Sequence, residues 1–248
     1  LKVIDRSIRG DYRDLNEDVT GIFKNGTGQM LMLVSDGMGG HRYGDVASRF
    51  VHDEVGAAWE NENLLNVEDG VEFLRRLVMD VNRRMFDYQQ ENPEYQGMGT
   101  TLVLAAVIEE TIIILNVGDS RAYAMNDRTI EQVTKDHSFV NMLVDAGEIT
   151  EAEAKVHPKR NIITKAMGTD RLIQADVFRL RNRQYDYLLL ASDGLTDDPD
   201  DSELHAIITR GGRALEEKAS QLVDQALKSG STDNISLVLA DLKASEGE

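Results

Sequence analysis

The sequence predicts an α+β fold in which antiparallel sheets pack face to face with helices outside. Three observations lead there. Strand-like runs come first, then two long amphipathic helices, then a series of strands, then a late helix and strand. That order suits neither a doubly wound parallel sheet nor a barrel. Two pairs of runs are joined by short turns, at Glu109-Glu110 and at Asn126-Asp-Arg128, as in antiparallel hairpins. Thr111 to Val117 is almost wholly apolar, as expected of a strand covered on both faces.

Taken in order, the first strands are Lys2 to Ser7, Val19 to Phe23 and Met30 to Val34. A helix follows over Tyr43 to Trp59, with Val46, Phe50 and Val55 facing inward. In Val71 to Tyr88 the residues Leu74, Leu77, Val78, Val81, Met85 and Tyr88 make one apolar stripe, so this is a second helix. Strands come next at Thr101 to Ile108, Thr111 to Val117, Arg121 to Met125 and Thr129 to Val133. From His137 to about residue 170 strand character lapses, and Thr150-Glu-Ala-Glu153 is a capping box for a short helix. This stretch reads as a small inserted flap. Strands resume at Ile173 to Leu180 and Tyr185 to Ala191. A helix over Arg213 to Lys228 stops at Ser229-Gly230, and Ile235 to Asp241 closes the series. With three prolines and no Pro/Ser/Gly-rich linker, residues 1–248 are expected to form a single domain.

The charge balance narrows the partners. There are 44 acidic against 27 basic residues, a formal charge of −17, which argues against nucleic acid or an anionic membrane. No apolar run approaches the roughly 18 residues a membrane span needs, and no signal peptide is recognised. A soluble cytoplasmic protein, working as a monomer, is expected. The chain begins at Leu1 without Met, and trimming at its start is expected. With no Cys at all, disulfides and thiol nucleophiles are excluded.

Five short motifs carry the chemistry: Arg13-Asp-Leu-Asn-Glu-Asp18, Asp36-Gly-Met-Gly-Gly40, Gly118-Asp-Ser120, Ser192-Asp-Gly194 and Thr232-Asp-Asn234. Each puts a carboxylate at or beside a turn, and Asp36 and Asp193 follow apolar strands. Strand ends are where a rigid scaffold can aim several side chains at one point. Hard oxygen ligands without competing thiols suit Mg²⁺ or Mn²⁺ rather than Zn²⁺. Each motif also has a plain reading. An isolated Asp-Gly is more often a turn, Asp119 fits a turn between two strands, and Asp233 fits an Asx-turn. Two strand-ending Asp-Gly pairs in one chain weaken that reading without removing it. Gly37 permits a tight turn, leaving its carbonyl free as a ligand. Arg13 is either a surface charge or, given its spacing to Glu17 and Asp18, a bidentate phosphate ligand beside carboxylate-held metals.

These motifs, with Gly97-Met-Gly-Thr-Thr101, Val117-Gly-Asp-Ser-Arg121 and Thr134-Lys-Asp-His-Ser138, follow one another in the order of a known family. The chain resembles a bacterial metal-dependent Ser/Thr protein phosphatase of the protein phosphatase 2C (PPM) family, over nearly its whole length. The resemblance implies a four-layer αββα sandwich, two antiparallel sheets flanked by helix pairs, with a flap over about 137–170. It implies Asp36 bridging two Mn²⁺ or Mg²⁺ ions, the Gly37 carbonyl on one of them, and Asp193 and Asp233 completing the set on the other. Glu17 and Asp18 would act largely through waters on the ions, Arg13 would bind the substrate phosphate, and Asp119 with Asp193 resembles the third-metal site of bacterial members. Animal members carry a His directly after the first Asp-Gly as a proposed general acid, where this chain has Met38. His41, three residues on, is either a proton donor, directly or through water, or a loop His with a structural hydrogen bond. His52, His137, His157 and His205 read as structural or surface residues, and Asp197 to Asp201 as a solvated loop and helix cap.

The activity implied is hydrolysis of phosphoserine and phosphothreonine in proteins, opposing bacterial Ser/Thr kinases. Its chemistry is self-consistent. Cations remove the repulsion between a phosphomonoester dianion and an anionic nucleophile, so an acidic protein can bind phosphate once metal is in place. A phosphatase dedicated to one regulatory phosphoprotein and a catalytically silent binding protein are the rival readings.

Overall fold

The computed structural model describes residues 1–38, 43–63 and 65–243. Its eleven strands are β1 (Lys2–Ile8), β2 (Asp18–Lys24), β3 (Met30–Met38), β4 (Gly99–Thr100), β5 (Leu102–Ile108), β6 (Thr111–Val117), β7 (Arg121–Met125), β8 (Ile130–Gln132), β9 (Asp176–Arg181), β10 (Tyr187–Ala191) and β11 (Ile235–Asp241). The helices are α1 (Gly44–Glu60), α2 (Val67–Glu91), α3 (Phe139–Asp145), α4 (Glu151–Lys155), α5 (Asp193–Thr196), α6 (Asp201–Thr209) and α7 (Leu215–Ser229). One sheet runs β1-β11-β10-β7-β8 and the other β2-β3-β5-β6-β9, with β4 paired to β3. Among the described residues every strand pair is antiparallel.

The period-two alternation of a strand explains the layering. In β6, Ile112 and Ile114 face the other sheet, while Ile113, Leu115 and Val117 face α1 and α2. In β10, Leu188 and Leu190 turn to the inter-sheet core, and Leu189 and Ala191 turn to α6 and α7. A strand buried on both faces carries apolar residues on both, which is why β10, and β6 apart from Thr111 and Asn116, read as apolar runs. The result is the four-layer sandwich the sequence implied: α1 and α2, the β2–β9 sheet, the β1–β11 sheet, then α6 and α7.

The helices dock by the stripes their sequences carry. Leu74, Leu77, Val78, Val81 and Met85 of α2 are buried, as are Leu215, Ala219, Leu222, Val223 and Ala226 of α7. Each large apolar side chain so buried contributes about 1.5–3 kcal/mol. In α1 the inward face centres on Ala47, Val51, Val55 and Trp59, while the expected Val46 and Phe50 are half-buried at its margin. Trp59 also donates its indole N–H to the Gln29 carbonyl at 3.1 Å. Helix α2 begins four residues before the expected start, because the Asn66 side chain accepts from the Asp69 N–H and caps it.

Two polar residues on the buried face of α2 organise loops. Asn82 accepts from the Gly168 N–H at 2.8 Å and donates to the Asp170 carbonyl at 2.9 Å. Gln89 donates to the Gly168 carbonyl and accepts from the Gly97 N–H, both at 2.9 Å. Between Ser138, which bridges to Ile163, and Met167, which bridges to Thr100, the chain leaves the sheets and carries α3 and α4. The expected capping box at Thr150 and Glu153 is present. Among the described residues no helix is long and apolar enough to cross a membrane.

Candidate active site

Asp36 does not end its strand. β3 continues to Met38, with Asp36 opposite Asp18 in β2 and Gly37 opposite Thr100 in β4. Gly37 therefore makes no tight turn. A Cβ there would collide with the Gly44 and Glu17 carbonyls, so glycine is required by close approach of the chain. The strand is extended by the segment Gly99 to Thr101. The Thr101 N–H and the Thr100 hydroxyl both donate to the Asp36 carbonyl, at 2.9 and 2.8 Å. The Thr101 hydroxyl accepts from the Asp36 N–H at 2.9 Å and lies 2.7 Å from the Ser120 hydroxyl.

The other motifs arrive from both sheets. β10 ends at Ala191, Ser192 follows, and Asp193 opens the single turn of α5. Asp233 stands two residues before β11. Asp119 lies in the turn between β6 and β7 and is 8 % exposed. Asn234 ties the first loop to this end of the sandwich. Its Oδ1 accepts from the Glu17 N–H at 2.8 Å, and its Nδ2 donates to the Arg9 and Leu15 carbonyls at 2.8 and 2.9 Å. Ser192 donates to Asp18 Oδ2 at 2.8 Å. Arg13 Nη2 donates to Asp233 Oδ2 at 2.5 Å.

Buried carboxylates in one region repel each other and lose hydration, and both effects favour the protonated form. Burial pushes Asp18 up to about 6, with hydroxyls of Ser236 and Ser192 opposing and Asp233 adding to it. Burial, then Asp136 and Asp197, pushes Asp119 up to about 7. Asp36 is raised well above the carboxylate range by burial and then by Asp18, Asp193, Asp119 and Asp233. Asp193 is raised likewise by burial and then by Asp119 and Asp197. Asp36 thus lies within electrostatic reach of the carboxylates of Asp18, Asp119, Asp193 and Asp233.

Among the described residues no group of three or more His, Asp or Glu side chains is arranged, as it stands, to hold a metal ion. Two of the carboxylates are turned to hydrogen-bond donors instead, Asp18 to Ser192 and Asp233 to Arg13. The donor set nevertheless fits a hard divalent cation. One oxygen each of Asp18, Asp119 and Asp193 is buried with no hydrogen-bond partner, which is costly for an anion unless a cation meets it. All the candidate ligands are oxygens, the set Mg²⁺ and Mn²⁺ prefer.

Most of the residues singled out in the sequence therefore gather at one end of the two sheets. His41 lies outside the described residues. Glu17 is half-buried, and its carbonyl accepts from the Gly37 N–H at 3.1 Å and the Ser48 hydroxyl at 2.6 Å. The run 197–201 divides: Asp200 forms a capping box with Glu203 for α6, while Asp197 is an ion-pair partner of Arg121 at 3.1 Å. Thr100, Thr101, Ser192 and Asn234 were missed as supports. Their signal was adjacency to motif carboxylates, but a hydroxyl or amide beside a turn has too many other uses to be singled out.

Such a sandwich, with buried carboxylates brought together at its strand ends, defines a metal-dependent protein phosphatase. Residues 12–229 match the protein phosphatase 2C family, and the chain belongs to that family. It is 39% identical over 237 residues to the serine/threonine phosphatase stp of Listeria welshimeri, covering 95% of this chain and 94% of that protein. It is similar to the crystal structure of the serine/threonine phosphatase Stp1 from Staphylococcus aureus, with a TM-score of 0.95 and 49% identity over 98% of this chain and 96% of that one. It is also similar to the catalytic domain of the phosphatase PstP in complex with 2 manganese ions, with a TM-score of 0.82 and 30% identity over 97% of each chain.

Proposed function

We propose that this protein removes phosphate from phosphoserine and phosphothreonine in proteins and so opposes Ser/Thr kinases, with a kinase itself among its substrates. The observation that carries the site assignment is the set of buried, partnerless carboxylate oxygens on Asp18, Asp119 and Asp193. Two ions would be held by Asp36, the Gly37 carbonyl, Asp193 and Asp233, and a third by Asp119 with Asp193. When bound, the ions supply Lewis-acid activation of water and charge neutralisation at the phosphoryl group.

The protein's own residues do the rest. The Arg13 guanidinium, exposed beside Asp233, grips two phosphate oxygens and orients the ester. Asp18 stays in place through the Ser192 hydroxyl and supports the ion-facing end of the cluster with Glu17. Thr100 and Thr101 hold the Asp36 backbone so that its carboxylate is preorganised. His41 is the candidate proton donor to the leaving seryl or threonyl oxygen. Residues 137–170 form a flap beside this site within a single catalytic domain spanning 1–248, and the protein acts as a cytoplasmic monomer.

Turnover of p-nitrophenyl phosphate and of a phosphothreonine peptide with added Mn²⁺ tests the reading. Hydrolysis of both is expected. Tight Mn²⁺ binding without turnover would make the protein a silent binder and overturn it.

A further inference from the structure

The motif Thr134-Lys-Asp-His-Ser138 supplies none of the proposed ligands, yet its Asp136 and His137 grip the Asp119 turn from both ends. The His137 N–H donates to the Gly118 carbonyl at 2.9 Å, and the His137 Nδ1 accepts the Gly118 N–H at 3.0 Å. Both backbone polar groups of the residue before Asp119 thus meet one histidine, the carbonyl also accepting from Asn116 Nδ2 at 3.2 Å. One position earlier, Asp136 receives the guanidinium of Arg121, the second residue after Asp119. Nε lies 3.1 and 3.0 Å from its two oxygens and Nη2 lies 2.8 Å from Oδ2. These side chains are 18 % and 10 % exposed. Arg121 also donates to the Thr196 carbonyl at 3.0 Å and to Asp197 at 3.1 Å, at the far end of the helical turn that Asp193 opens.

The turn needs such restraint. Gly118 has φ +108°, and a Cβ there would meet the Thr101 side chain at 2.7 Å. Only glycine fits, and glycine alone does not restrain its own peptides. Because Nδ1 accepts from a backbone N–H, the ring is neutral with its proton on Nε2. Nε2 lies 3.2 Å from both Asp176 Oδ2 and Lys165 Nζ, and of the two only the carboxylate can accept its proton. Burial and then the nearby Lys165 hold the pKa of His137 below its usual value, consistent with a neutral ring.

We propose that His137 is a positioning residue for Asp119: its ring fixes the Gly118 peptide and so aims the carboxylate, while Asp136 and Arg121 fix the other end of the same turn. The inference rests on the reading of Asp119 as an ion ligand. It differs from a packing role in one respect: it depends on an acceptor at the Nδ1 position.

Two isosteric replacements separate the roles. In His137→Asn the Oδ1 falls where Nδ1 stood and keeps the Gly118 hydrogen bond. In His137→Gln the acceptor lies one carbon further out and loses it. Amide exchange at Gly118 is followed by NMR in Mg²⁺-loaded protein, and Mn²⁺ binding by calorimetry. His137→Gln is expected to speed Gly118 exchange and to weaken the weakest Mn²⁺ by about 10- to 100-fold, as loss of an outer support does, while His137→Asn retains both. Equal behaviour of the two variants in both measurements overturns the proposal. Asp119→Asn, measured in parallel, isolates the underlying reading. If it leaves every Mn²⁺ in place, the third-ion reading falls and the positioning role falls with it. If it loses the weak ion while His137→Gln keeps it, only the positioning role falls. Should a His137 variant not fold, Arg121→Lys breaks the bidentate clamp at the other end. It is expected to lose the weak ion and keep the core pair, and retention of all ions overturns the proposal.

Discussion

Arg13 and Asp233, 220 residues apart in the chain, form a charge-assisted hydrogen bond of 2.5 Å with both side chains partly open to solvent. The guanidinium thus occupies an oxygen that an ion at Asp233 would claim. On the proposed assignment, cation and arginine would compete for one carboxylate, and an ion that won would leave the guanidinium free for a phosphate.

From this competition we predict that Arg13→Ala lowers kcat/KM by about 10- to 100-fold, the equivalent of losing a charge-assisted contact of roughly 1.5–3 kcal/mol. Mn²⁺ affinity should be unchanged or higher, because a competing cation has gone. Arg13→Lys should recover part of the activity, since a point charge cannot form the fork. Steady-state kinetics on one phosphopeptide with calorimetry for the ion decides it. Wild-type kcat/KM in Arg13→Ala rules out the phosphate role.

Activity should vanish on chelation and return with Mn²⁺ or Mg²⁺. Asp36→Asn is expected to abolish turnover, because Asp36 is assigned to both core ions, and Asp233→Asn to do nearly the same. Circular dichroism confirms that each variant is folded. A folded Asp36→Asn protein keeping most of its kcat would show that the carboxylate was misassigned.

The metal-free protein should lose stability as pH rises. Asp18 and Asp119 titrate at about 6 and about 7 in the fold but near 3.9 in an unfolded chain. Between those values the native state holds protons that the unfolded state has released. The stability that this provides is complete below about pH 4 and is lost as pH climbs through 6 to 7. With chelator the melting temperature should be higher at pH 5 than at pH 8. Saturating Mn²⁺ should remove that slope or reverse it, since protons then compete with the ion. A chelated protein that melts steadily higher from pH 5 to pH 8 would contradict the assignment of these carboxylates as buried and unpaired.

Thr101→Val keeps the shape of a buried side chain and deletes its hydroxyl. The Asp36 N–H and the Ser120 hydroxyl then lose their shared partner. We predict a loss of about 1–3 kcal/mol in urea unfolding, with weaker Mn²⁺ binding because the Asp36 backbone is less restrained. Unchanged stability and affinity would mean that water replaces the hydroxyl without cost.

Much of this was legible in the sequence because its signals are local. The periodicity of α2 and α7, the almost wholly apolar run of β6 and the two hairpin turns each depend on neighbouring residues, and the layers follow from them. Asp36, Asp119, Asp193 and Asp233 stood out because each adjoins a glycine or a strand boundary. What escaped depends on contacts between distant segments. Asp36-Gly37 looked like a strand end, yet β3 runs on because Gly99 and Thr100 arrive from beyond α2 to pair with it. Arg13 was expected at a phosphate, and nothing near it in the chain signals that Asp233 holds it. The resemblance supplied the ligand set as a whole, which spacing alone could not, since turn and ligand readings of a single Asp-Gly look identical in one dimension.

The first strand pairs along its full length with the last, Lys2 opposite Asp241 through to Ile8 opposite Ile235, and Asn234 closes the loop that bears Arg13 and Glu17. β1 and that loop precede most of the sheets in the chain, and their partners exist only once β11 has been made. That end of the sandwich is therefore closed only after β11 is available. A chain that stops short of β11 keeps most of its strands but lacks the partner that closes the Arg13 loop, so an interrupted product is expected to be inactive.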